Sequence, residues 1–151
     1  MATATLPRVT SDEQQASELL AGVVGHDLQQ LRVGAGQVQL VFDNGAFVHL
    51  AGTTRLDEGP EIEEPQSLEG LAILLPFLNE SVVSAGVGPG GTLAVAFEAG
   101  VVTCSPDEQY EAWEFTTEAG AMVVCMGGGA LAIWSENQPA RPQPRWWRRE
   151  G

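Results

Sequence analysis

The chain has 151 residues, 44% of them hydrophobic. That is the length of one domain and enough to bury about 70% of the unfolded surface without disulfide staples. Twenty acidic residues oppose seven basic ones for a net charge of −13, a field that disfavours nucleic acid and anionic lipid and draws a basic partner inward. No window approaches the roughly 18 apolar residues of a membrane span, and MATATLPRVTSDEQQ lacks the basic start and apolar run of a secretion signal, so a cytoplasmic location is expected.

In chain order, residues 1–10 show no periodicity and read as a flexible arm. Ser11 followed by Gln14 is a capping box, and Ala16, Leu19, Leu20 and Val23 fall at helical spacing, which predicts a helix of about ten residues ended by Gly22 and Gly25. Residues 28–50 then alternate apolar and polar with a period of two, broken at Gly34-Ala35-Gly36 and Asn44-Gly45, as three strands of a β-meander do. Next comes RLDEGPEIEEPQ, in which Asp57, Glu58, Glu61, Glu63 and Glu64 surround prolines and a glycine. Its composition predicts a solvated acidic linker over 55–66.

The first pattern then returns. Ser67 is an N-cap, Leu68, Leu71, Leu74, Leu75 and Leu78 predict an apolar helix face, and Pro76 should kink or finish that helix. Residues 82–104 repeat the meander: Leu28 answers to Val82, Val33 to Val87, Val38 to Leu93, Leu40 to Val95, Phe42 to Phe97 and Gly45 to Gly100, with one residue inserted. GVGPGGT within this copy joins strand to strand and lacks a GK[ST] ending, so it reads as a hairpin turn rather than a phosphate loop. A third β block over 110–135, YEAWEFTT, AMVVCM and ALAIWS with glycine turns between, has no counterpart in the first copy. These segments predict nine short strands and two helices in a single domain, 11–138, with repeats at about 11–52 and 67–105. The expected fold class is α+β, mostly antiparallel, a large twisted sheet or split barrel packed by the two short helices.

The tail from Pro139 to Gly151 differs in kind. Pro139, Pro142 and Pro144 forbid regular structure, and four arginines against one glutamate leave +3 there, so that the first 138 residues carry −16. Arg141, Arg145, Trp146, Trp147, Arg148 and Arg149 are expected to lie on an acidic surface, of this chain or of a neighbouring copy, with an outside partner as the alternative.

Signals for catalysis are weak. His26 and His49 each stand without a histidine or cysteine at ligand spacing, and although His26-Asp27 could pair a base with a carboxylate, adjacent residues usually point apart. Cys104 and Cys125 lack CxxC or Cys/His spacing, so two reduced, partly buried thiols are expected, a strand-to-strand disulfide being the alternative. No metal site and no cofactor are expected. The acidic stretch Asp107, Glu108, Tyr110, Glu111, Trp113 and Glu114 follows Pro106; carboxylates interleaved with aromatic rings are what a hot spot for an arginine-rich partner requires.

The run SPDEQYEAWEFTTEAGAMVVCMGGGALAIW, with P-x-x-x-Y-E-A-W, a hairpin, V-V-C, a glycine turn and L-A-x-W, resembles the C-terminal signature of a family of small uncharacterised actinobacterial proteins. The F-x-x-G meanders upstream are similar to that family too, so the resemblance covers about residues 20–134 and excludes both arms. Proteins of this kind are similar to immunity proteins of bacterial toxin systems in size, acidity and lack of a catalytic constellation. The function expected is therefore a non-enzymatic, acidic protein-binding module, an immunity protein whose partner is a basic toxin. Asp107, Glu108, Tyr110, Glu111, Trp113 and Glu114 would make the contact, and Asp57, Glu58, Glu61, Glu63 and Glu64 the steering charges. The rival readings are a small-ligand or regulatory domain with a pocket lined by Phe97, Trp113 and Trp134, a hydrolase using His26 or His49, and a homo-oligomer strapped by its tail.

Overall fold

The computed structural model describes residues 11–135; the expected N-terminal arm and the tail from Pro139 on lie outside the described residues. The Ser11 hydroxyl caps α1 (Asp12–Leu20) by accepting from the Gln14 backbone N–H, and a 3-10 turn over Ala21–Val23 carries the chain to Gly25, at φ +84°. Strands β1 (Leu28–Gly34), β2 (Gln37–Phe42) and β3 (Phe47–Leu50) form the first meander. A short β4 (Thr54–Leu56) follows, unforeseen by composition because it occupies the start of the acidic linker. The second half has α2 (Leu68–Leu74), capped by the Ser67 hydroxyl and cut short at a 3-10 turn carrying Pro76, then β5 (Val82–Val87), β6 (Leu93–Phe97) and β7 (Gly100–Cys104). Finally come β8 (Trp113–Thr116), β9 (Met122–Cys125) and β10 (Leu131–Trp134).

The class is α+β and the strand pairing antiparallel, as the alternation and short turns dictate. The strands divide between two sheets, ordered β1-β2-β3-β8-β9-β10 and β4-β7-β6-β5, and do not close into a barrel. The inward faces of both sheets, with Ala16 and Leu20 of α1 and Leu74 of α2, share one core that includes Leu28, Phe42, Val48, Leu50, Trp113 and Phe115 from one sheet and Val82, Val95, Phe97 and Val102 from the other. The Phe77 and Phe97 rings stack in it at 4.5 Å.

The internal repeat reaches down to individual hydrogen bonds. Gly25 N–H donates to the Val82 carbonyl and Asn79 N–H to the Leu28 carbonyl, both at 2.8 Å; Leu28 N–H donates to Glu80 and Val82 N–H to His26, both at 3.0 Å. Exchanging positions 54 apart turns each bond into its mate, which is the reciprocity of a twofold contact. The β-bulges fall at equivalent places, Leu28/Gln30 and Val82/Ser84. Asn79, at φ +69°, answers to Gly25, asparagine being among the few residues that tolerate the left-handed region. One matched pair is offset, however: Gly45 sits in the turn before β3, whereas Gly100 is the first residue of β7 and pairs with Phe97. The extra residue of the Gly88–Gly91 turn is recovered in the next, shorter turn.

The first strand of the third block, β8, does have a counterpart, β4. After β3 the chain crosses to pair β4 with β7, Thr54 opposite Cys104; after β7 it crosses back to pair β8 with β3, Trp113 opposite Leu50. Each half thus lends its fourth strand to the other's sheet. The two crossings touch where Ala51 and Gly52 N–H groups both donate to the Ala112 carbonyl, and a Cβ on Gly52 would stand 2.7 Å from that of Ala112. The hairpin β9–β10 alone lengthens one sheet beyond this symmetry.

Two turns lock the sheets together. A Cβ built on Gly91 would stand 2.4 Å from the Gly129 carbonyl oxygen, and one on Gly129 2.2 Å from the Gly90 oxygen. The backbones of the β5–β6 and β9–β10 connections are therefore in direct contact, and this is what the GVGPGGT run does. Trp113 Nε1 donates to the Gly91 carbonyl at 2.9 Å in the same place.

Candidate functional site

The acidic segments are both products of the strand exchange. The 105–112 segment is the second crossing, and the linker leaves from β4 just after the first. Ile62 returns to bridge Thr54, which is itself paired with Cys104, so the linker and the root of the 105–112 crossing flank one residue, about two strand spacings (roughly 10 Å) apart. The linker is tied to the sheet at Ile62, which is buried, while Glu61, Glu63 and Glu64 on either side of it are exposed.

Within this region the side chains divide into two kinds. Asp107 Oδ1 accepts from Gln109 N–H at 2.8 Å and Tyr110 N–H at 3.0 Å, and Asp57, in the left-handed region, accepts from Val101 N–H at 2.9 Å. These two carboxylates shape the backbone. Glu58, exposed, lies 3.5 Å from Arg55, a modest exposed pair. Glu61, Glu63, Glu64, Glu108 and Tyr110 face solvent, Tyr110 at 71% exposure, and Glu111 is half-buried.

Two predicted contact residues are corrected. Trp113 is fully buried in the core, because β8 turns its odd-numbered side chains inward, and Glu114 points to the opposite side of the sheet at 3% exposure. Neither can be a surface anchor in the folded chain. The predicted apolar face of the second helix is also broken: Leu74 is buried, while Leu75 is exposed and Leu68 stands 87% exposed at the helix start. Leu68 and Ile62, with Glu61, Glu63, Glu64, Ser67 and Glu69, line an open cleft of about 480 Å³. Neither Leu68 nor Glu69 was singled out by the sequence as a surface group, since leucine at helical spacing ordinarily marks a core face.

The pocket imagined between Phe97, Trp113 and Trp134 does not form. Trp113 shares the inward face with Phe115 and Cys125, whereas Trp134 pairs with Met122 on the outward face. The histidines do not converge either. His26 Nδ1 lies 2.7 Å from Asp43 Oδ1 at the exposed start of β1, so its carboxylate partner is Asp43 rather than the adjacent Asp27. His49 pairs with Gln39, four residues from Asp43 along β2 and hence about 13 Å away.

Burial holds the His49 imidazole down to about 4 from its ordinary 6.5. Between these values the unfolded chain binds the proton and the folded chain does not, so this residue's contribution is complete above about pH 6.5 and is lost as pH falls to 4, by about 3 kcal/mol. Urea unfolding of wild type and His49→Gln at several pH values should show wild type losing that much more on acidification than the variant; parallel profiles would refute it.

Cys104 and Cys125 are free, buried thiols, pushed up to about 12 and about 11 by burial, so neither is a ready nucleophile at neutral pH. Among the described residues no group of three or more His, Cys, Asp or Glu side chains could hold a metal ion, and no helix is long and apolar enough to cross a membrane. No curated protein and no solved structure matches the chain. Over residues 19–135 it matches the model of a family of unknown function, DUF6188, and it belongs to that family.

Proposed function

We propose that this protein is a non-enzymatic binding module that captures a basic protein partner, acting in the cytoplasm as an immunity protein that covers and neutralises a cognate toxin. The observation that carries the reading is the open cleft in which four carboxylates, Glu61, Glu63, Glu64 and Glu69, ring an exposed Leu68. An acidic rim raises the rate at which a cationic surface arrives, and an apolar anchor at its centre slows departure. Among the described residues few cations compete for it: Arg32 and Arg55 are the two arginines of residues 11–135, and Glu58 pairs with Arg55. Glu108 and Tyr110, on the second crossing, are exposed as well and offer a further carboxylate and aromatic ring to such a partner.

The test is binding to the purified product of the gene beside this one, measured by stopped flow and surface plasmon resonance. A 1:1 complex is expected, with an association rate that falls with salt and drops about tenfold in the triple variant Glu61→Gln, Glu63→Gln, Glu64→Gln. Leu68→Ser should instead speed dissociation. No complex, or a complex indifferent to both changes, would reject the reading.

A further inference from the structure

The edge strand of a sheet carries a row of backbone N–H and C=O groups that proteins cover or disrupt. The two sheets have four such edges, β1 and β10, β4 and β5. Ile62 is hydrogen-bonded to Thr54 of β4, where α2 also packs, and α1 lies against both β5 and β10. Ser17 of α1 makes the closest of these contacts. Its hydroxyl accepts from Val87 N–H at 2.9 Å, and Gly86 leaves room for it, since a Cβ there would stand 3.1 Å from Ser17 Oγ. At the positions 54 residues away stand Leu71 for Ser17 and Arg32 for Gly86, two large side chains in place of two small ones, and α2 packs mainly on β4. The seven-residue β1 is therefore left open. Gln29, Gln30, Arg32 and Val33 are exposed, Val33 at 55%, whereas its mate Val87 is half-buried.

We propose that β1 is a docking edge for β1 of a second copy of this chain, the two strands running antiparallel about a twofold axis at Leu31 and joining two six-stranded sheets into one. The turn Ala35-Gly36 has two residues, so Gly34 and Gln37 form a hydrogen-bonded pair. Alternation then turns the backbone groups of Arg32 and Gln30 to β2 and those of Leu31 and Val33 to the open side. With Leu31 opposite Leu31 of the copy, each N–H donates to the other's carbonyl, and Arg32 falls opposite Gln30 of the copy. Within one chain Arg32 Nε already donates to Gln30 Oε1 at 3.3 Å, so the same acceptor meets it across the axis. The neighbouring register, Leu31 opposite Val33, would set Arg32 against Arg32 and is disfavoured. Charge selects a copy over a foreign basic strand: residues 28–42 contain no acidic side chain, and Arg32 is their single charge. The contact is thus self-complementary, as a twofold interface must be. It stands apart from the proposed partner, since no residue of the acidic cleft enters it.

Sedimentation of the full chain tests this. Wild type should dimerise with rising concentration between about 10 µM and 1 mM, as a small interface does, and more readily as salt screens two bodies of −13 each. Gln30→Lys sets a like charge opposite each Arg32 and should weaken the dimer about tenfold, whereas Gln30→Glu sets an opposite charge there and should strengthen it. Position 30 is exposed, so neither change disturbs the core. In a mixed sample of labelled and unlabelled chains, NMR should show a contact between the α-protons of Gln30 and Arg32 from different chains, the mark of a non-hydrogen-bonded antiparallel pair. A monomer over the whole range, a dimer equally strong in both variants, a dimer that weakens with salt, or contacts between chains confined to other residues would each overturn the proposal.

Discussion

Replacing Trp113 by alanine is expected to lower the unfolding free energy by about 3 to 5 kcal/mol, the cost of deleting a large, fully buried aromatic side chain. Burial alone does not set the figure. The indole Nε1 donates to the Gly91 carbonyl, which also receives the Cys125 thiol at 3.6 Å, so the variant strips the main donor from a buried acceptor at the junction of both sheets. Trp113→Phe keeps most of the apolar area but loses that bond, and about 1 to 2 kcal/mol is expected. Tyr110→Ala, three residues away but exposed, should stay within about 0.5 kcal/mol. Chemical denaturation with unchanged m-values decides among these. A Trp113→Ala cost below about 1 kcal/mol would mean that this residue does not hold the sheets together.

The second large effect is expected at Gly129. Alanine there carries two penalties: a φ of +94° that L residues rarely adopt, and a methyl group 2.2 Å from the Gly90 carbonyl oxygen, where backbone rather than a flexible side chain must yield. Gly120 separates the two, since its φ is +97° but nothing lies within 4 Å of its would-be Cβ. Gly120→Ala should cost about 1 to 3 kcal/mol for conformation alone, and Gly129→Ala at least about 2 kcal/mol more. Because Gly129 presses on the turn whose carbonyl binds Trp113, combining Gly129→Ala with Trp113→Ala should cost less than the sum of the single changes. Equal effects at Gly120 and Gly129 would show that the two turns do not bear on each other.

What could be read from the residues alone was whatever local periodicity specifies. The period-two runs, the Ser11 and Ser67 caps, the break at Pro76 and the glycine turns located the two helices, the two meanders and the last hairpins, because each depends on neighbours a few positions away. The 54-residue repeat was legible for the same reason. Tertiary structure decided what depends on distant partners. β4 is three residues long inside an acidic stretch, and only pairing with β7 makes it a strand. The division into two sheets follows from the reciprocal crossings at Gly52 and Ala112, which no local pattern records. In the candidate site the exposed carboxylates were visible as composition, but the anchor was misassigned. Trp113 looked like a surface aromatic among acids and is core, because the exchange of β8 into the first sheet turns it inward, while Leu68 looked like core and stands in solvent at the first residue of α2. Alternation tells that two faces exist; only packing assigns which of them is inside.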